Sequence, residues 1–198
     1  MQNKGLVFLI CLIAFTVACN REDKTEPQNE SGTKLEKFVA KKGITFVRDL
    51  YHIKPGISNS SNKALKLEGV VIYEPNKENE RLKGLKINVC EKKPAEEFEP
   101  FACSDYWYLD LEEVEKLSKS LEYIREFSNE WKNVKREDTS VTFMSRGDFI
   151  IRFNQWDTNQ EVYLPYQNNK EKFYFDNMES LTAFKEQVDN ALKLIREK

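Results

Sequence analysis

In the stretch Tyr106-Trp107-Tyr108-Leu109-Asp110-Leu111, alternating large side chains give way to a helical repeat. Asp110 with Glu113 three residues later resembles a capping box, with aspartate in place of serine or threonine. Apolar residues three or four positions apart then share one helical face: Leu111, Val114, Leu117, Leu121 and Ile124. The pattern predicts a strand followed by an amphipathic helix over about 111–127.

The same order returns near the C-terminus. Shifting the sequence by 66 residues places Trp107-Tyr108-Leu109-Asp110 on Phe173-Tyr174-Phe175-Asp176, and Glu179 again follows three residues later. A second apolar stripe predicts another helix, offset by one residue from the first: Met178, Leu181, Phe184, Val188, Leu192 and Ile195. We therefore expect two similar halves, over about 43–131 and 138–198.

Each half begins with strand-like segments. In the first half, residues 44–53, 64–73 and 85–90 are rich in β-branched and alternating apolar side chains. In the second, residues 140–145, 149–155 and 161–166 have the same character. Segments of turn composition separate these strands, which favours antiparallel pairing.

The predicted fold class is α+β, with two pseudo-repeated antiparallel β-meanders, each followed by a helix. A sheet with one apolar face and a helix with one apolar stripe must bury them together, so the halves should share one core. This order over 43–198 resembles, in topology alone, the duplicated sheet-and-helix folds of whirly-type single-stranded-DNA binders. Such folds host unrelated functions.

The N-terminal segment has the features of an export signal. After Lys4, residues 6–18 are all apolar or small, a run shorter than the ~20 residues of a membrane-spanning helix. The run ends in Phe15-Thr16-Val17-Ala18-Cys19, which resembles the lipobox of bacterial lipoproteins, although Thr16 stands where the lipobox commonly has Leu. The resemblance implies a signal peptide at 1–18 and a Cys19 that carries palmitate-type acyl chains. An ordinary secreted protein cut near Ala18 and a retained anchor are the alternatives.

The residues after Cys19 predict a tether. Residues 20–34 contain no large apolar side chain, so we expect the lipidated cysteine and a flexible tether over 19–34 and a single domain over 35–198. The composition, rich in Lys, Glu, Asn and Phe with few Gly, resembles proteins of the Bacteroidota. We expect a lipid-anchored protein of the bacterial cell envelope, in the outer membrane, facing either the periplasm or the cell surface.

Charge and cysteine content limit the possible partners and the possible roles of the cysteines. The formal net charge is −2 and becomes more negative once Lys4 is removed, which argues against a nucleic-acid partner. Four cysteines are present; Cys11 leaves with the signal peptide and Cys19 is lipidated. Cys90 and Cys103 remain as a pair in an oxidising compartment, which predicts a disulfide. A redox-active pair, the alternative, is more often spaced C-x-x-C.

Few residues suggest a site. His52 is the only histidine and has neither a nucleophile motif nor metal-ligand spacing around it, so we predict no catalytic residue, no metal and no cofactor. Arg146-Gly147-Asp148 matches the tripeptide by which extracellular ligands engage integrins, but it also predicts a turn, with Gly147 at a positive φ. Trp131 and Trp156, flanked by charged residues, are candidates for an exposed aromatic contact.

These patterns favour a non-enzymatic envelope module that binds a protein, peptide or glycan, with an inhibitor or immunity-type lipoprotein as a particular case. The alternative is an envelope hydrolase without a recognisable motif. A binding module should expose an apolar or aromatic patch. A hydrolase should instead show a concave pocket with convergent polar groups, such as His52 clustered with acids.

Overall fold

The computed structural model describes residues 31–92 and 101–198. The compact unit spans Ser31–Lys198, so residues 31–34, which the sequence assigns to the tether, belong to it. The predicted signal peptide, Cys19 and the rest of the tether lie outside the described residues. The segment 93–100 between the paired cysteines does too.

Two four-stranded antiparallel sheets confirm the predicted α+β class with two similar halves. Sheet A contains β1 (Val47–Ser58), β2 (Lys63–Tyr73), β3 (Leu82–Lys92) and β4 (Phe101–Asp110), in that order. Sheet B contains β5 (Arg136–Met144), β6 (Ile150–Asp157), β7 (Asn159–Tyr166) and β8 (Glu171–Tyr174), also in order.

Three α-helices complete the fold: α1 (Lys34–Val39), α2 (Leu111–Trp131) and α3 (Met178–Glu197). A single 3-10 turn, Glu78–Glu80, precedes β3. Helix α2 begins where the sequence predicts but continues four residues further, to Trp131. Within the described ranges, no helix combines the length and the apolar composition that crossing a membrane would require.

The start of α3 differs from the prediction by one residue. Its N-cap is Asn177, whose side chain accepts from the backbone N–H of Ser180 at 2.8 Å, rather than Asp176 paired with Glu179. The Asp176 carboxylate instead accepts from the backbone N–H and hydroxyl of Ser60, in the β1–β2 loop, at 2.7 and 2.8 Å. The N-cap therefore lies one residue after Asp176 and the helix begins at Met178, which matches the one-residue offset between the two sequence stripes.

One core contains both halves. Helix α3, from the second half, packs against β1, β2 and β3 of sheet A, and α2 packs against β3, β4 and β5. Across the junction, the rings of Trp107 and Phe149 meet edge to face, with centroids 5.5 Å apart. The buried stripes of both helices belong to the same apolar cluster as the inner faces of both sheets.

A second, smaller cluster lies on the opposite face of sheet A, which we call the outer face. Its members come from α1 and two strands, β2 and β4: Leu35, Phe38, Val70, Ile72 and Tyr108. Leu35 is fully buried, and each such side chain contributes about 1.5–3 kcal/mol. Gly84 makes room for α1, because a Cβ there would lie 2.4 Å from Leu35 Cδ1 and 2.0 Å from the Leu109 carbonyl oxygen. Helix α1 therefore covers one end of the outer face.

Candidate functional site

Cys90 and Cys103 form a disulfide, as the sequence predicts. They are register partners on β3 and β4. Cys90 is fully buried. Lipidation of Cys19 lies outside the described residues and stays a prediction.

The tripeptide Arg146-Gly147-Asp148 lies in the turn between β5 and β6. The hydroxyl of Ser145 accepts from the backbone N–H of Gly147 at 3.2 Å and of Phe149 at 3.0 Å. The positive φ lies at Asp148, at 58°, so its prediction at Gly147 is wrong. A Cβ on Gly147 would lie 2.5 Å from a carboxylate oxygen of Glu36, at the end of a flexible side chain.

Arg146 makes ion pairs within the protein. Its guanidinium lies 2.9 Å from Asp110, 2.6 Å from Glu112 and 3.3 Å from Glu113. Burial alone would lower the pKa of Arg146, but hydrogen bonding and attraction to Glu113 and Glu112 outweigh burial and raise the pKa. Both charged residues of the tripeptide are exposed, but the guanidinium of Arg146 is held in these ion pairs.

The two tryptophans have different environments. Trp156 lies in β6 and is 45% exposed, as expected. Trp131 ends α2 and differs from the expectation, since it is half-buried and packs against the core. The guanidinium carbon of Arg136 lies 3.7 Å from its ring centroid. Neither tryptophan lies in the Arg146 turn, so the four predicted binding residues do not form one site.

Trp131 belongs instead to a row of three rings along α2, which we call the aromatic ladder: Tyr123, Phe127 and Trp131. The rings are stacked, with centroids 6.5 Å apart between Tyr123 and Phe127 and 4.6 Å apart between Phe127 and Trp131. Tyr123 is 55% exposed. The spacing of four residues puts the three side chains on one side of the helix.

A groove of about 300 Å³ runs between the aromatic ladder and β5. Tyr123 and Phe127 line one wall, and Val141, Thr142 and Phe143 line the other. Met144, at the end of β5, is 62% exposed beside this wall. An exposed apolar and aromatic surface of this kind is typical of a binding site for another molecule.

Strand β5 is also an edge of sheet B. It pairs with β6 on one side, and no described strand pairs with it on the other. Alternate residues of an edge strand point backbone N–H and C=O groups outward, where a further strand can bind. The groove therefore lies beside a row of hydrogen-bonding groups that the described residues leave open.

The four edges of the two sheets are not equally protected. Charges, Pro55 and a bulge interrupt β1, two aspartates lie on β4, and β8 is only four residues long. On β5, charges and a bulge are confined to residues 136–138. Charged residues and prolines on an edge strand normally prevent the addition of another strand. The edge from Thr139 to Met144 has neither.

The outer face of sheet A presents a different surface. Glu68 lies at its centre, with Oε1 3.0 Å from His52 Nδ1, and Oε2 accepts from the Asn88 amide at 3.2 Å. Lys86 Nζ lies 3.5 Å from the same carboxylate and 4.9 Å from the ring centroid of Tyr106. His52 thus contacts one carboxylate rather than a cluster of acids, and its side chain is 67% exposed.

A cavity of about 620 Å³ lies next to His52. Three of its lining residues carry basic groups, namely His52, Lys54 and Lys66, and the rest of the lining is largely apolar: Ile53, Pro55, Gly56, Ser58, Ala64 and Leu67. No group of three or more histidine, cysteine or acidic side chains arranged to hold a metal occurs in residues 31–92 and 101–198.

Sequence analysis missed both surfaces, for different reasons. The expected helix end at residue 127 excluded Trp131 and hid the spacing of the aromatic ladder. The contact between His52 and Glu68 depends on the register of β1 with β2, which places the two residues opposite each other. Register is fixed by packing of the sheet, so a single sequence gives little sign of it.

Comparisons with known proteins add little. No protein-family model matches the chain, and no curated protein matches it. A solved structure of MRP1/MRP2 from Trypanosoma bruciei matches over 81% of this chain and 91% of that chain, with 10% sequence identity and a TM-score of 0.31. That similarity is too low to carry any conclusion about function.

Proposed function

We propose that this chain is a lipid-anchored module of the bacterial cell envelope, and that its groove between α2 and β5 binds an extended segment of a protein partner. The lipobox-like segment ending at Cys19 supports the anchor. The observation that carries the binding role is the unprotected edge of β5 beside the aromatic ladder.

The segment would add to sheet B as a fifth strand. Its backbone would pair with the outward N–H and C=O groups of residues 139–144, and this pairing provides affinity that depends little on sequence. Alternate side chains of the added strand would enter the groove against Tyr123 and Phe127. Because the groove and this part of β5 are uncharged, an uncharged segment with an apolar or aromatic residue every second position fits best.

An inhibitor or immunity-type lipoprotein would be a particular case of this function, since strand addition can hold a partner in an inactive arrangement. The alternative, an envelope hydrolase, rests on His52. That side chain contacts the single carboxylate of Glu68 on an exposed sheet face, which supports binding better than general-base catalysis.

A peptide-display selection tests the proposal. The full chain, purified in detergent, is used to select among random peptides of eight residues, and affinities of the selected peptides are measured by fluorescence anisotropy. Tyr123→Ala should weaken binding about tenfold, as expected for an exposed aromatic anchor. Trp156→Ala is the matched control, because Trp156 is a similarly exposed ring outside the groove. The affinity of this variant for the selected peptides should equal that of the wild type.

Backbone methylation makes the test specific for strand addition. Two versions of a selected peptide are compared, one N-methylated at its odd-numbered residues and the other at its even-numbered residues. One version should lose binding and the other should keep it nearly intact, because only every second N–H of an added strand points toward β5. The proposal would be overturned if no peptide were selected, or if the two methylated versions bound equally. It would also be overturned if Trp156→Ala lost peptide binding while Tyr123→Ala kept it.

A further inference from the structure

We infer that the outer face of sheet A holds a second site, which binds an acidic sugar through the cavity beside His52. This site is independent of the α2–β5 groove. Its cavity lies at the β1 bulge, and the basic side chains in its lining include His52 and Lys66, which the strand register places on the outer face.

The charge on this face differs from that of the whole chain. The chain has 33 acidic and 31 basic residues. The strand register nevertheless places His52, Lys66 and Lys86 on the outer face around one carboxylate, that of Glu68, while Arg48 lies further along the same face, opposite Ile72. A surface with this excess of positive charge attracts anionic ligands.

Within the described residues, Glu68 pairs through its carboxylate with two of these basic groups, His52 and Lys86, and not with the lysines that line the cavity. Its side chain is 14% exposed and contacts His52, Lys86 and Asn88, so its two oxygens are occupied within the sheet. Lys54 is exposed, lines the cavity, and has no ion-pair or hydrogen-bond partner among the described residues. The ammonium group of Lys54 is therefore the one best placed to meet a carboxylate on a ligand.

The apolar lining defines the rest of the ligand. Ile53 and Pro55 give the cavity an accessible hydrocarbon surface beside the basic groups, and the buried residues Ala64 and Leu67 complete its lining. A volume of about 620 Å³ is within the range of small-ligand sites. A sugar ring combines a C–H face, which packs on such a surface, with hydroxyls that hydrogen-bond at the rim, and a uronic acid adds the carboxylate.

The same face continues toward Tyr106, across strands β2 and β3. Strands lie about 4.8 Å apart, so the distance from β1 to β4 is roughly 14 Å. Tyr106 is 57% exposed, and an exposed ring beside Lys86 suits a further acidic sugar of the same chain. The occupant we infer is therefore an acidic polysaccharide, with one unit in the cavity and the next units along the sheet.

Titration calorimetry with oligogalacturonate tests this inference on the full chain in detergent. The methyl-esterified oligomer is the matched probe, since it keeps the sugar rings and removes the charge. Oligogalacturonate should bind, with an affinity that falls as salt is added, and the ester should bind at least tenfold more weakly. Lys54→Gln should weaken oligogalacturonate binding roughly tenfold, whereas Lys170→Gln, an exposed lysine in the β7–β8 loop, should not.

Other anions decide whether the site is specific for sugars. Equal binding of polyglutamate, of a single-stranded oligonucleotide or of vesicles containing phosphatidylglycerol would overturn the inference in favour of a general anion surface. Equal binding of the ester and the acid would also overturn it. Tyr123→Ala should leave oligogalacturonate binding intact, and Lys54→Gln should leave peptide binding at the groove intact, so either site can fail without the other.

Discussion

Arg146 takes part in the polar contacts that join the start of α1 to the rest of the domain. The Asp110 carboxylate accepts from Arg146 at 2.9 Å and from the backbone N–H groups of Lys34 and Leu35 at 2.8 and 3.0 Å. The Arg146 carbonyl in turn accepts from the backbone N–H of Gly32 at 2.8 Å. The guanidinium therefore neutralises a carboxylate that also caps the first residues of α1.

We expect Arg146→Ala to lower the free energy of unfolding by about 2 kcal/mol. The side chains of Asp110 and Glu113 are only 6% and 5% exposed and would lose their cation, while the 43% exposure of Arg146 limits the loss. Urea denaturation measures the change. Asp148→Asn is the control in the same turn, because asparagine accepts a positive φ, and it should change stability by less than about 0.5 kcal/mol. Equal losses in the two variants would contradict this role for Arg146.

At the scale of elements, sequence patterns predicted the strands and the two long helices because each buries one regular face. Helix α1 was missed, since it is only six residues long and its position depends on Asp110, far away in sequence. A capping box did mark it, with Thr33 and Glu36 bonded to each other's backbone N–H. The candidate surfaces were less predictable than the fold, because they form between elements.

The first turn of α2 should make stability depend on acid pH. Burial alone would raise the pKa of Glu112, but Arg146 and Lys34 outweigh burial and lower it. A carboxyl whose pKa is lower in the folded state stabilises the fold above its unfolded pKa of about 4.3, and this contribution is lost as the pH falls through the folded pKa. Glu112→Gln should therefore lower Tm at pH 7 and have progressively less effect below about pH 4.

Thermal unfolding followed by circular dichroism between pH 3 and pH 7 measures this difference. Glu130→Gln, an exposed acid at the other end of α2, is the control and should show no such pH dependence. A Tm difference between wild type and Glu112→Gln that stays constant down to pH 3 would show that the ion pairs of Glu112 with Arg146 and Lys34 do not stabilise the fold.

At the scale of the whole molecule, the two halves depend on each other. Helix α3 follows sheet B in sequence but packs against sheet A. The contact is close, because a Cβ on Gly69 of β2 would lie 3.1 Å from Cγ1 of Ile195 in α3. The same helix contacts its own half through Phe184, whose ring centroid lies 5.4 Å from that of Phe175. Each half therefore lacks part of the apolar cover that its sheet needs.

We expect neither half to fold alone. The fragment 31–134 would expose the inner face of sheet A that α3 covers, and the fragment 135–198 would leave the apolar stripe of α3 without a sheet to pack on. Near-UV circular dichroism and thermal scans should show no cooperative transition for either fragment, whereas 31–198 should unfold in one. Mixing the two fragments should restore the near-UV signal, because their shared core then forms across the cut. A cooperative transition in either isolated fragment would mean that the repeat consists of two independent folding units that merely touch.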